Sequence, residues 1–211
     1  MVLPGATLLE SAVPIPHPLM EAWQLSKSRY IAQAGMIAAI HAGLTLLTMQ
    51  TLSALAWGPI QFRVSEALTV LAAFTPAAIP GLALGSVIAN SFNLVTLGPL
   101  ALLDVVFGSA ATALGAAWTH RFRDRPAVGL LGPVLANALI IPAYLPVLVK
   151  GLGLYRIPLL GIDLEGDWLM MYAFGFVAVA VGQAVVVYGL GMPLLAAMRR
   201  LGLKEALGRT R

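Results

Sequence analysis

The sequence WGPIQFRVSEALTVL, from Trp57 to Leu71, sets an arginine and a glutamate at the start of an apolar segment, in a chain that otherwise avoids charge. Arg63 and Glu66 are spaced i, i+3, so on a helix their side chains share one face. An ionisable side chain at membrane depth is costly, and it marks a functional site by default. The alternative is a helix-end ion pair that only fixes orientation, and both interpretations stay open at this point.

The composition indicates an integral membrane protein. Hydrophobic residues make up 59% of the 211 residues and charged residues only 10%, whereas a soluble domain carries about 25% charged residues. The charges cluster, and the gaps between clusters each have room for one or more spans of about 20 apolar residues. This leaves no room for a soluble catalytic domain. The chain has no cysteine, which excludes disulfides and thiolate metal sites.

We therefore expect an all-α membrane protein with six transmembrane helices. The expected spans are roughly residues 30–55, 62–74, 78–97, 99–118, 126–149 and 168–192. The second is short, as a re-entrant or tilted helix would be. The chain then divides into a proline-rich tail (1–29), a membrane domain (30–192) and a basic tail (193–211).

The distribution of charge predicts the orientation. Six spans put both termini on one side, together with the segment His120–Arg125, HRFRDR, which holds three arginines against one aspartate. The positive-inside tendency makes this side cytoplasmic. The net charge of +4 reflects this orientation signal and does not indicate binding of nucleic acid.

Polar and aromatic side chains concentrate in the outer half of the expected bundle, whereas the cytoplasmic half is mainly small and aliphatic. This asymmetry predicts an outward-facing pocket rather than a channel, which needs polar lining throughout. The alternative is an aromatic belt at the interface with amides that join helices. The candidate binding residues are Arg63, Glu66, Asn90, Asn93, Asp104, Asn137 in mid-span, Tyr144 and Trp168.

Small residues recur every four positions along the first span, at Ala34, Ala38 and Ala42. This spacing lets another helix approach closely. The approaching helix could belong to this subunit or to a partner, and the sequence leaves both possibilities open.

Three segments resemble the QueT family, the substrate-binding S components of energy-coupling factor (ECF) transporters associated with uptake of queuosine precursors. The segments are IQFRVSEALTVL, FTPAAIPGLALGSVIAN and LLDVVFGSAAT, and the resemblance covers about residues 30–192. It implies a six-helix protein of the bacterial cytoplasmic membrane with a ligand pocket on the extracellular side. It also implies a protein that is not an enzyme and needs no cofactor.

The resemblance further implies protein partners. A separate transmembrane coupling subunit and two ATPase subunits would supply the energy. The alanine-rich face of the first helix, with Ala34, Ala38 and Ala42, would contact the coupling subunit. The sequence contains no G-x-x-x-x-G-K-[ST] phosphate loop of its own.

The implied ligand is a deazaguanine. A guanine-like edge offers adjacent N–H donors, which one carboxylate accepts in bidentate fashion, and a carbonyl acceptor. We expect Glu66 to accept the N–H pair, and Arg63 to orient Glu66 or donate to the carbonyl. The other expected contacts are Asn90 and Asn137 for the rest of the edge, Tyr144 or Trp168 for stacking, and Asp104 for an ammonium group.

Other functions stay open on sequence alone. Within the same class, the ligand could be a base, a precursor or a nucleoside. An ion-coupled secondary transporter of a small polar or purine-like solute would use Glu66 and Asp104 as proton carriers, although we find no convincing inverted repeat. An intramembrane enzyme would need a nucleophile with its base, or a metal cluster. His41 stands alone in the first span, and a lone histidine is more often a packed side chain than a ligand.

Overall fold

The computed structural model describes residues 17–51, 62–151, 156–157, 162–163 and 168–202. These residues are helical apart from one antiparallel pair of two-residue strands. The main elements are α1 (His17–Thr51), a long 3₁₀ helix (Val64–Ala73), α2 (Ala78–Ser91), α3 (Gly98–Arg121), α4 (Leu131–Gly151), β1 (Arg156–Ile157), β2 (Ile162–Asp163) and α5 (Trp168–Arg200). Single helical turns at Leu94–Leu97 and Pro126–Gly129 precede α3 and α4.

All six apolar segments expected from the sequence contain a helix, and the all-α membrane class is confirmed. Within the described residues, four helical stretches are long and apolar enough to span a bilayer: Ser26–Thr51, Gly98–Arg121, Pro126–Val147 and Trp168–Arg200. The 3₁₀ helix and α2 are apolar but shorter. An α-helix of 14 residues is about 21 Å long, less than the roughly 30 Å of a hydrocarbon core. The count of six spans and the side of the termini stay predictions.

The first and last helices run through the expected domain boundaries. α1 begins at His17, and Pro18 in its first turn fits a position where no backbone N–H partner is needed. Lys27 and Arg29 end the apolar segment, but charged side chains do not end a helix. At the other terminus, α5 continues to Arg200, beyond residue 192. Residues 1–16 and 203–211 lie outside the described residues.

The long 3₁₀ helix lies among the other helices. Ser65 hydrogen-bonds Thr45 of α1, and Val70 contacts Gly191 of α5. Irregular backbone at membrane depth is tolerated where protein encloses it, which explains why this helix is central. Its buried side chains are Ser65, Glu66, Ala67, Thr69, Val70 and Ala72.

The 3₁₀ geometry makes this segment longer than an α-helix with the same number of residues. At a rise of about 2.0 Å per residue, its ten residues extend further than the same number in an α-helix at about 1.5 Å. Arg63 lies just before the helix with φ −87° and ψ 86°. Its side chain bonds α2, whereas the side chain of Glu66 bonds α3. Because Arg63 precedes the helix, the expectation that the pair shares one helix face does not apply to it. Residues Trp57–Gln61 lie outside the described residues.

The close approach of α1 and α2 depends on two glycines. A Cβ built at Gly81 would lie 2.8 Å from the backbone oxygen of Ala34, and one built at Gly85 would lie 2.7 Å from that of Ala38. Ala38 and Ala42 are only 2% and 5% exposed. The alanine stripe thus packs inside this chain. In this structure its buried members are not available to a coupling subunit, which corrects the expectation of a partner-docking face there.

The far end of the 3₁₀ helix is closely packed, and we refer to Ala72, Gly115, Trp118, His120 and Gly132 as the closed end. A Cβ built at Gly115 would lie 2.6 Å from the Cα of Pro133 on α4. One built at Gly132 would lie 2.6 Å from the Cβ of Trp118. The His120 ring nitrogen Nδ1 lies 2.7 Å from the Ala72 carbonyl oxygen. These contacts leave no space for a larger side chain at either glycine.

The two basic segments meet at this closed end. Arg199 of α5 donates from Nη2 to the backbone oxygen of Arg123, at 3.3 Å. Arg123 belongs to the HRFRDR segment, so this segment and the end of α5 share one end of the bundle, as the charge pattern predicts.

Candidate functional site

Buried polar side chains from four elements meet at the opposite end of the bundle from the closed end. We refer to this group as the polar layer. Asp104 is half-buried, and every other member is buried. Its members are Arg63, Glu66, Asn90, Asn93, Asp104, Thr112 and Tyr144.

Asn90 connects the 3₁₀ helix, α2 and α3. Its Oδ1 accepts a hydrogen bond from Nη2 of Arg63 at 3.1 Å. Its Nδ2 donates to the backbone oxygen of Asp104 at 2.8 Å and to Oγ of Ser86 at 3.3 Å. Both ends of the amide are therefore occupied by the protein, and Asn90 fixes the position of the Arg63 guanidinium.

The Asp104 carboxylate is held by neutral donors. Tyr144 of α4 donates to its Oδ1 at 2.6 Å, and Asn93 donates to its Oδ2 at 3.5 Å. Asp104 also begins a π-helical turn, Asp104–Gly108, inside α3. Such turns occur frequently at functional sites. Both donors are uncharged, so neither bond supplies a positive charge to this carboxylate.

Gly108 ends that π-helical turn and allows the polar layer to close around it. A Cβ built there would lie 3.1 Å from Nδ2 of Asn90 and 3.4 Å from Oδ1 of Asp104. It would also lie 3.5 Å from Oη of Tyr144. An added Cβ at this position would press on Asn90 and touch Asp104 and Tyr144, so it would disturb the polar layer.

Glu66 is the most deeply buried charge of the polar layer, with no exposed surface. Thr112 donates to its Oε1 at 2.9 Å, and Thr69 donates to its Oε2 at 3.4 Å. Nε2 of His41 lies 3.9 Å from Oε1. Within the described residues no ion pair joins Glu66 to Arg63. Two opposite charges are therefore buried in one site without neutralising each other directly, an arrangement that is expensive unless a further group contributes.

Several buried polar atoms have no hydrogen-bond partner among the described residues. Leaving such an atom unpaired costs about 1–3 kcal/mol, so native proteins pair nearly all of them. The set contains donors and acceptors, and so suits a ligand that offers both. These atoms are both ring nitrogens of His41, Nε of Arg63, Oγ of Ser109, Oδ1 of Asn137 and Oε1 of Gln183.

Asn137 lies between the polar layer and the closed end. Its Nδ2 donates to the backbone oxygen of Pro133 at 2.9 Å, which leaves Oδ1 as the orphaned acceptor. Pro133 packs on Gly115, whereas Tyr144, about three turns after Pro133 on α4, reaches Asp104. Asn137 therefore lies below the polar layer and is not joined to it by a hydrogen bond.

Trp168 lies apart from the other candidates. It is 52% exposed, and its ring stacks on that of Tyr172 with 5.2 Å between centroids. Aromatic side chains of this kind are typical of a membrane interface. Its exposure and its contact with Tyr172 fit the belt alternative, and the stacking of Trp168 on a ligand stays a prediction.

Three residues near Glu66 or in the bundle core were not among the candidates. His41 is ionisable and in mid-span, which is itself a functional signal, and it should have been paired with Glu66. Gln183 is a lone amide in an apolar span and carries the same signal. Thr112 gives no such signal, because a threonine hydroxyl can bond the backbone carbonyl four residues earlier in its own helix. Thr112 also makes this bond, to the carbonyl oxygen of Gly108 at 3.2 Å.

A crevice opens at the closed end. Its volume is about 360 Å³, and its charged side chains are exposed to solvent. None of the orphaned buried atoms lies on it. The polar layer is therefore the better candidate site. The crevice is lined by Ala73, Phe74, Arg123, Asp124 and Arg199.

Comparison with known proteins gives one family for most of the chain. The family model described as QueT transporter matches residues 31–200. The Queuosine precursor transporter QueT of Lactococcus lactis subsp. cremoris (strain MG1363) is 34% identical over 104 residues. That alignment covers 47% of this chain and 56% of the relative, so the chain matches little more than half the relative's length. No solved structure matches the chain. The chain belongs to the QueT transporter family, a family of transporters and not of enzymes.

Proposed function

Starting from membership of the QueT transporter family, we propose that this chain is the substrate-binding subunit of an ATP-driven importer of the ECF type. Its ligand is a queuosine precursor or a related deazaguanine, a class supported by the name of the Lactococcus relative. One observation carries the proposal: Glu66 and Arg63 are buried in the same polar layer without an ion pair between them. A ligand with N–H donors and a carbonyl would give each charge its partner.

The chemistry of the polar layer matches a deazaguanine edge. The Glu66 carboxylate accepts two adjacent N–H groups, and the orphaned Nε of Arg63 donates to the carbonyl oxygen. Asp104, with its neutral donors, takes the ammonium group of an aminomethyl substituent. The orphaned acceptors of Asn137 and Gln183 receive remaining N–H groups. Asn90 positions Arg63 and does not contact the ligand.

The polar layer faces the outside of a bacterial cytoplasmic membrane in this proposal. The support is the meeting of Arg123 and Arg199 at the closed end, because positive charge favours the cytoplasmic side. Six segments then cross or enter the bilayer, and both termini are cytoplasmic.

The partners are a transmembrane coupling subunit and two ATPase subunits. Because Ala38 and Ala42 are covered by α2, we propose that the coupling subunit approaches the neighbouring, exposed side of α1. Gly35, Ala39 and Gly43 lie there at spacings of four residues, with nothing within 4 Å of a Cβ built at either glycine. Small residues at this spacing permit close helix contact.

Reconstitution tests this function. The purified chain is placed in liposomes alone, or together with coupling and ATPase subunits, and uptake of a labelled deazaguanine is measured. Uptake only with partners and ATP is expected. Uptake that never requires ATP would contradict the proposal.

An ion-coupled secondary transporter is the second candidate, and the 3.9 Å approach of His41 to Glu66 favours it, since buried pairs of ionisable groups serve as proton relays. Uptake by the chain alone, abolished by an uncoupler, would identify this alternative. The same liposomes test it without further material.

A further inference from the structure

His41 is the least explained buried side chain near Glu66. It has no exposed surface, and neither ring nitrogen makes a hydrogen bond within the described residues. A Cβ built at Gly85 would lie 2.9 Å from the His41 Cβ and 3.1 Å from its Nδ1. The imidazole therefore occupies space that a side chain at position 85 would fill. An apolar side chain would fill that place without the cost of unpaired nitrogens.

The surroundings of Glu66 suggest what His41 does. Thr112 already donates to Oε1, and Nε2 of His41 lies 3.9 Å from this same oxygen. Oε2 receives only the longer bond from Thr69, at 3.4 Å. His41 and Thr112 thus flank one carboxylate oxygen, and the other oxygen is held less firmly.

Two charged groups face His41 among the described elements packed against it. Both come from the segment of the 3₁₀ helix: Glu66, which is negatively charged, and Arg63, which is positively charged. α2 contributes Gly85 beside the imidazole. Asp104 of α3 is engaged with Tyr144.

We propose that His41 is a positioning residue for Glu66, and that protonation of His41 weakens ligand binding. Neutral His41 turns its Nε2–H toward Oε1 and keeps the carboxylate aimed at the ligand. Protonated His41 forms an ion pair with Glu66, which withdraws the negative charge that the ligand N–H groups need. This inference rests on the proposed function, because it assumes that Glu66 accepts hydrogen bonds from the ligand.

The test measures binding of a deazaguanine base without an ionisable substituent to the purified full-length chain between pH 5.5 and 7.5. Wild-type affinity should fall by up to about tenfold as the pH is lowered and His41 takes up a proton. His41→Gln keeps an N–H donor and cannot titrate. It should bind within about threefold of wild type at pH 7.5 and show no loss in acid. His41→Leu should bind more weakly at every pH.

Thr48→Val is the matched control, because Thr48 is buried on the same helix and bonds only Leu44 of that helix. It should follow wild type throughout. The inference is overturned if His41→Gln keeps the wild-type loss in acid, or if His41→Leu binds like wild type.

A second measurement needs no ligand. NMR of protein labelled at its three histidines follows the His41 resonance, assigned with His41→Gln. Glu66→Gln should change the pH at which this resonance titrates, and Thr48→Val should not. An unchanged titration in Glu66→Gln would refute the coupling. If wild type binds no deazaguanine, the proposed function fails, whereas this second measurement still decides whether His41 and Glu66 act together.

Discussion

The polar layer and the closed end both bury polar groups, but among the described residues only the closed end satisfies them fully. There, Thr119 donates to the backbone oxygens of Gly129 and Gly115, at 2.9 and 3.0 Å, and His120 reaches Ala72. In and beside the polar layer, Arg63 and His41 keep unpaired nitrogens. A hydrogen-bond network in which every polar atom is paired stabilises a fold, whereas unpaired buried atoms are costly until another molecule binds them. The contrast separates the part of the bundle that maintains structure from the part that we propose binds the ligand.

Glycine has a different role at each end. Gly115 admits the backbone of α4 at Pro133, whereas Gly108 admits the polar side chains of Asn90, Asp104 and Tyr144. A rigid backbone cannot yield to an added methyl group, but side chains can shift. The same substitution should therefore affect stability at one end and binding at the other.

The largest effect is expected from Glu66→Gln. The amide replaces one acceptor oxygen with a donor and removes the charge. Losing one partner of a buried charged hydrogen bond costs about 2–5 kcal/mol, so deazaguanine affinity should fall by about a hundredfold or more in calorimetric titration. Asp124→Asn makes the same chemical change at the exposed closed-end crevice and should leave affinity unchanged. Equal affinity of Glu66→Gln and wild type would remove Glu66 from the site.

The paired substitutions Gly108→Ala and Gly115→Ala test the contrast itself. Overpacking costs about 1–3 kcal/mol. Gly108→Ala should weaken binding about tenfold with little change in thermal unfolding. Gly115→Ala should lower the unfolding temperature, and the fraction that stays folded should bind normally.

Gly43→Ala is the control for both glycines, because nothing lies within 4 Å of a Cβ built there. It should be neutral or slightly stabilising, since alanine favours a helix over glycine by up to about 1 kcal/mol. Reversed effects at Gly108 and Gly115 would mean that the two ends have been assigned the wrong way round.

Gln183→Met should produce smaller changes: a higher thermal stability of the free protein and a lower affinity for the ligand. Removing an orphaned acceptor from the core relieves a cost of about 1 kcal/mol, so the free protein should unfold at a higher temperature. If Oε1 receives a ligand N–H group, affinity should fall a few-fold. A destabilised free protein would indicate that Gln183 is already satisfied.

Trp168→Ala should have the smallest effect on binding. The side chain is half exposed and stacks on Tyr172, so affinity should stay within about twofold of wild type. A base-stacking role would cost about 1–3 kcal/mol. A tenfold loss would therefore restore Trp168 to the site.

The sequence predicted the composition of the polar layer better than its geometry. Counting residues along each span gives depth, so Asn90, Asp104 and Tyr144 were expected near one another. Ten residues cannot distinguish a period of 3.0 from one of 3.6, so the 3₁₀ helix was not predicted. Arg63 and Glu66 bond different helices because Arg63 precedes the 3₁₀ helix with a non-helical ψ of 86°, and residue spacing alone does not show where a helix begins.

The sequence also did not determine how α1 is rotated about its own axis. Small residues occur on two of its faces, one with Ala38 and Ala42 and one with Gly35 and Gly43, and neither pattern says which face meets α2. His41 lies on the face of Ala38. Because that face packs inside the chain, His41 lies in the bundle beside Glu66. The docking face and the role of His41 were therefore missed for the same reason, since the sequence does not determine the rotation of α1.

Ligand binding to the purified chain without any partner tests the central claim most directly. Calorimetric titrations would compare guanine, a deazaguanine base, its aminomethyl derivative and the queuosine nucleoside. If the polar layer is completed by ligand, one deazaguanine should bind selectively, at one molecule per chain, and raise the unfolding temperature. A folded sample that binds none of these compounds and shows no thermal shift would contradict the account.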